Sequence, residues 1–360
     1  MKKVLLRFYD KNNLGDDLFI KVITERYKNE FSVIASQPNP FLEQVANLAI
    51  FRNKILFYAL KAIEKALGVR NIWLRQLVAR NDLLVYIGGS LFIEGNSPKK
   101  WVKELDFYRN CKIPYYILGS NFGPYSTKEF KNVVTGIFDG AKDVCFRDSE
   151  SYRLFEGCRS VRLATDIAFS LNMTNLVIKS EKHAVFSLID CHDRFAQDLA
   201  NSYDSQVRIM TERLLTEGYR VTYMSFCESE GDERAIEQIK AGLDEKIAER
   251  VETFCYKGDL NEALAFLASC EVVIATRFHA AILGLLFKKK VLPVIYSDKT
   301  ANILRDMSFD GPVVDVRRMG EFDAATIKFS ELIEYDVRDQ IDLAEEQFAK
   351  LDEVLVKRKS

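Results

Sequence analysis

The chain has 360 residues, of which 48% are apolar, 29% charged and 12% aromatic. That composition describes a folded protein long enough for two domains, and excludes disordered and fibrous classes. Fifty-one Lys and Arg against 52 Asp and Glu leave a net charge of −1, which excludes a whole-chain basic field for nucleic acid.

Taken in chain order, the pattern alternates strand and helix. Residues 3–9 read as a strand, followed by a polar turn and a helix over 16–28. Residues 31–36 form a second strand. Compact apolar runs at 83–87, 113–118 and 143–146 each end in glycine or arginine. Short apolar runs separated by helical patterns predict parallel sheets buried on both faces. Polar residues at 172–181 break the chain. The scheme then repeats, with strands at 184–189, 220–225, 251–254, 272–275 and 291–295. Helices are expected at 206–217, 233–247, 260–269 and 278–287, and a charged helical segment at 335–358. The expected architecture is α/β: two Rossmann-like domains facing a cleft. Residues 1–175 form the first, 176–330 the second, and 331–360 a helix packing back on the first.

The run Val4-Leu5-Leu6 is too short for a signal-peptide core, and no stretch reaches the length of a membrane span. Seven scattered cysteines without a C-x-x-C argue for reduced thiols and against a zinc site. A cytoplasmic protein is expected. Residues 52–80 depart from the average: seven Lys/Arg face only Glu64, a net charge of +6 on an amphipathic pattern. This reads either as helices packed on the sheet with a solvated basic face, or as a surface for an anionic membrane.

Ligands of open α/β sheets bind beyond the carboxyl ends of the strands. After the first strand come Asn13, Gly15, Asp16 and Asp17. Asp16 or Asp17 either caps the next helix or, for Asp16, meets a substrate hydroxyl. Gly88, Gly89 and Ser90 form either a tight turn or a nest of backbone N–H groups for an anion. Asn121 lies in a similar loop, 119–124. Arg147 ends the next strand and projects at the sheet edge, either as an exposed structural arginine or as a fork for carboxylate or phosphate. Arg277 and His279 sit two residues apart where a strand gives way to a helix. That pairing offers an anion site with a titratable group inside it. Tyr296 and Lys299 follow the next strand, and Lys299 is either a solvated loop residue or a compact charge for phosphate. Neither a G-x-G-x-x-G nor a Walker A sequence occurs.

In order, Asn13-x-Gly15-Asp16, Gly88-Gly89, the 119–124 loop, Arg147-Asp148-x-x-Ser151, Asp166-x-Ala168-Phe169, Arg277-x-His279 and Tyr296-x-x-Lys299 resemble the polysaccharide pyruvyl transferase family. Ser90 departs from it, standing where the family commonly has a third glycine. The resemblance implies a glycosyltransferase type B-like fold. It also implies transfer of a pyruvyl group from phosphoenolpyruvate to two hydroxyls of a sugar, giving a cyclic ketal. Arg147 and Arg277 then match donor-binding arginines, His279 the catalytic histidine, and Lys299 a further donor contact. Asp16, Asn13, Gly15, Gly88, Gly89, Ser90, Asn121 and Tyr296 complete the expected site. The acceptor sugar is expected on a lipid or nucleotide carrier, and the chemistry needs neither metal nor cofactor. Two other functions share this architecture: a nucleotide-sugar-dependent glycosyltransferase and a non-catalytic glycan-binding protein.

Overall fold

The computed structural model describes residues 1–35, 38–51, 77–95, 98–174, 176–178 and 180–356. Most of the basic segment 52–80, namely 52–76, lies outside the described residues. Two compact units divide the chain. The first comprises residues 1–10, 19–170 and 342–360, and the second comprises residues 11–18 and 171–341.

The first unit holds seven parallel strands: β1 (Lys3–Arg7), β2 (Glu30–Ile34), β3 (Leu48–Phe51), β4 (Leu83–Ile87), β5 (Tyr115–Ser120), β6 (Asp143–Phe146) and β7 (Val161–Leu163). Their order is β3-β2-β1-β4-β5-β6-β7. β5 and β6 are buried at every position, as apolar runs covered on both faces require. Helices Lys128–Asp139 and Ser149–Phe155 supply Phe138 and Phe155, whose rings meet 4.8 Å apart, edge to face. Near the C-terminus, helix Arg338–Glu345, a 3-10 turn and helix Ala349–Leu355 replace the single helical segment expected at 335–358. Gln347 in that turn is fully buried. It accepts the Gly119 N–H at 2.9 Å and donates to the Thr165 carbonyl at 2.7 Å and the Phe146 carbonyl at 3.3 Å.

The second unit holds six parallel strands: β8 (His183–Ser187), β9 (Arg220–Ser225), β10 (Val251–Cys255), β11 (Val272–Ala275), β12 (Lys290–Ile295) and β13 (Val314–Asp315). Their order is β10-β9-β8-β11-β12-β13. Tyr203 and Tyr223 fill its core with their phenols satisfied by Thr276 and Thr211, at 3.0 and 2.7 Å. Each sheet reverses its strand order once, between β1 and β4 and between β8 and β11, and such switch points leave a crevice at the carboxyl ends.

Several boundaries move. The first helix runs over Leu14–Arg26, starting two residues early. The helix expected at 206–217 spans Gln197–Thr216. The segment 233–247 divides into Asp232–Ala241 and Glu245–Ala248 around Gly242. Among the described residues, no helix is long and apolar enough to cross a membrane.

Candidate functional site

The expected site residues fall into two groups, one in each unit. In the first unit, Gly88-Gly89, Asn121 and Arg147 follow the adjacent strands β4, β5 and β6. Arg147 is 3% exposed, so it is neither a surface arginine nor a free fork at the sheet edge. Its Nη1 donates to Asp166 Oδ2 and its Nη2 to Asn121 Oδ1, both at 2.7 Å. Asp166 is fully buried and accepts the Ala168 N–H at 2.8 Å through its second oxygen. A Cβ at Gly89 would stand 2.6 Å from Arg147 Nη2, so only glycine lets the guanidinium lie against this turn. Asn121 donates its N–H to the Gly89 carbonyl, and exposed Ser90 approaches Asn121 Oδ1 at 3.4 Å. Asp148 caps helix Ser149–Phe155 through the Ser151 N–H, and the Ser151 hydroxyl accepts from Phe122 N–H. The spacing of Arg147-Asp148-x-x-Ser151 thus encodes a helix start that fixes the loop beside Arg147.

In the second unit, residues 11–18, which include the start of helix Leu14–Arg26, group with β8–β13. Neither Asp16 nor Asp17 caps that helix, because both lie inside its first turn. Asn13 takes the part. Its Oδ1 accepts the Gly15 N–H at 3.0 Å, and its carbonyl accepts from Asp16 and Asp17. Asp17 is fully buried and accepts from the Tyr256 hydroxyl at 2.8 Å, whereas Asp16 is half-buried. A Cβ at Gly15 would stand 1.8 Å from His279 Nδ1, so the glycine backbone lies directly against the imidazole.

Arg277 and His279 open helix Phe278–Leu286 at the end of β11, beside the β8/β11 switch point. The Ser187 hydroxyl at the end of β8 accepts the Arg277 N–H at 3.1 Å. The Arg277 guanidinium is 6% exposed and meets two carboxylates. Nε donates to Asp232 Oδ2 at 3.1 Å, Nη2 donates to Asp232 Oδ1, and Nη1 donates to Glu230 Oε2. Asp232 is itself held by the N–H groups of Phe226 and Cys227, at 2.9 and 3.0 Å. Burial alone would lower the Arg277 pKa, but Asp232 and Glu230 outweigh it and fix the positive charge.

Tyr296 and Lys299 stand beside this pair. The Tyr296 ring carries Arg194 and Lys299 at 5.6 and 5.7 Å from its centroid. Burial acts to raise the Tyr296 pKa, and Lys299, Arg277 and Arg194 overcome it to leave the phenol more acidic than usual. Lys299 lies half-buried in the first turn of helix Asp298–Asp306, not in a solvated loop. Three cations therefore face two carboxylates, an excess suited to an anionic ligand. His279, half-buried at the start of helix Phe278–Leu286, supplies a group able to carry a proton.

Sequence reasoning passed over Arg194, Glu230 and Asp232, and gave Asp166 no role. The signal for two of them was the Gly231-Asp232 step in the turn that follows β9, which repeats the Gly15-Asp16 step in the turn that follows β1. Among the described residues, no cluster of His, Cys, Asp and Glu has the geometry of a metal site.

Residues 13–298 match a family model described as polysaccharide pyruvyl transferase. Over 263 residues the chain is 21% identical to the amylovoran biosynthesis protein AmsJ of Erwinia amylovora. That alignment spans 66% of this chain and 62% of the relative's length. Among solved structures, S. aureus MnaA with UDP gives a TM-score of 0.57 at 14% identity, covering 98% of this chain and 95% of that one. UDP-GlcNAc 2-epimerase of Methanocaldococcus jannaschii, solved with UDP-GlcNAc and UDP, gives 0.54 at 11% identity, with 96% and 98% covered. At these identities the likeness is one of fold: two parallel-sheet α/β units of the glycosyltransferase type B kind.

Proposed function

Because the chain belongs to the polysaccharide pyruvyl transferase family, we propose that it transfers the pyruvyl group of phosphoenolpyruvate to two hydroxyls of a sugar in a polysaccharide precursor, forming a cyclic ketal. One observation carries this reading: Arg277 and His279 share a helix start at a sheet switch point, with Arg194 and Lys299 flanking the same tyrosine. Phosphoenolpyruvate presents a carboxylate and a phosphate, which call for convergent guanidinium and ammonium groups.

His279 delivers a proton to the methylene carbon, and the carbon that bears the phosphate becomes oxocarbenium-like. A sugar hydroxyl adds there, and the proton it gives up replaces the one that His279 delivered. The C–O bond to phosphate breaks, a second hydroxyl closes the ring, and its proton balances the departing phosphate. Arg277 and Lys299 hold the negative charge that grows on phosphate as the bond breaks. Asp16 serves as the contact or base for an acceptor hydroxyl. In the first unit, Arg147 acts through its buried network with Asn121 and Asp166, which fixes the glycine turn at Gly88-Gly89.

The acceptor fits a lipid- or nucleotide-linked sugar. The +6 charge of segment 52–80 supports an acceptor presented at an anionic membrane. Failure to float with anionic liposomes at low salt would contradict that placement. The assay for the function incubates the protein with phosphoenolpyruvate and a panel of lipid- and nucleotide-linked sugars, and measures phosphate. Acceptor-dependent phosphate release is expected. Release of nucleotide instead, or of nothing, rejects the reading.

A further inference from the structure

Asp232 and Glu230 both hold Arg277, but in different ways. Asp232 is fully buried and anchored by two backbone N–H groups as well as by the guanidinium. The Glu230 side chain is 24% exposed. Among the described residues its carboxylate is held by side chains: Arg277 Nη1, Arg194 Nη2 at 3.5 Å and Asn13 Nδ2 at 3.3 Å.

These donors come from three separate segments, the turns that follow β11, β8 and β1. Lys299, after β12, adds its field. Burial alone would raise the Glu230 pKa, yet Arg277, Arg194 and Lys299 hold it below the ordinary carboxylate value. Such convergence is what the carboxylate or phosphate of a ligand would need. Room to leave is at hand. Glu230 borders an open cavity of about 590 Å³ whose other charged lining is Arg194 and Arg234 with Asp193, Glu228, Glu233 and Glu237, and Gly231 follows it at φ +86°.

We propose that the Glu230 carboxylate is a built-in counter-anion. It stands where an anionic group of the donor binds, and it must swing aside before that group reaches Arg277 and Arg194. Asp232 stays and orients Arg277 throughout. This rests on the reading of Arg277 as a donor-anion contact. Anion affinity is then set by competition: the apparent affinity is the intrinsic one multiplied by the fraction of molecules in which Glu230 has moved aside.

The test is calorimetric titration of the full chain with phosphoenolpyruvate and, separately, with inorganic phosphate. Glu230→Gln keeps the shape and removes the charge, so both anions should bind more tightly, on the order of tenfold. Glu230→Ala should do the same, and Asp232→Asn should weaken both. Equal or weaker anion binding in both Glu230 variants overturns the counter-anion. If phosphate tightens in the variants but phosphoenolpyruvate gains nothing over it, the counter-anion stands and the donor assignment falls. If no form binds either anion, both fall.

Discussion

At the scale of single residues, the site is built by glycines that make room and carboxylates that hold arginines in place. Gly15→Ala would push the His279 ring from its seat. Turnover should fall toward that of His279→Ala, while the urea midpoint moves little. Asp166→Ala removes the fully buried carboxylate to which the Arg147 guanidinium donates, a loss of about 3–5 kcal/mol measurable by urea unfolding. The polar and glycine residues after each strand were legible, because switch-point sites draw on them. The partnership of Arg277 with Glu230 and Asp232 was not legible. Glu230 and Asp232 fall between the strand expected at 220–225 and the helix expected at 233–247, and only the folded chain brings them to Arg277. Likewise, Arg147 looked exposed because Asp166 lies 19 positions away in the chain.

At the scale of elements, the strands were legible where they are buried on both faces, as with β4, β6, β8 and β11. Short β7 and β13 carry too few apolar residues to stand out, and the first half of Gln197–Thr216 is polar enough to read as loop. Two elements carry tests. His183 at the start of β8 is buried, its Nε2 2.8 Å from the Thr222 hydroxyl. Burial, aided by Arg220, lowers its pKa from 6.5 to about 4. The unfolded chain therefore takes up this proton first. The stability tied to neutral His183 is intact above pH 6.5 and declines as pH falls toward 4, by about 3 kcal/mol. His183→Gln should flatten that part of the acid loss in urea titrations run at pH 7 and pH 4.5. Gln347→Ala strips partners from the buried Gly119 N–H and Thr165 carbonyl. It should cost about 2–4 kcal/mol in the same measurement.

At the scale of the whole molecule, two Rossmann-type sheets each offer a switch point, and the expected site residues divide between them. A net charge of −1 gave no hint of that. It averages over a segment of +6 and over the cluster of Arg194, Arg277 and Lys299, where positive charge is concentrated locally. Domain count followed from length and the repeated strand-helix pattern. The placement of residues 11–18 with the second unit did not, because packing and not chain order decides it. The central claim is that this molecule protonates phosphoenolpyruvate and passes its pyruvyl carbon to a sugar. Mass spectrometry of the sugar product formed in D2O tests it most directly. The account predicts a pyruvyl ketal with one deuterium in its methyl group, formed by the wild type and lost in His279→Ala. A ketal methyl without deuterium, or undiminished product from His279→Ala, would contradict it.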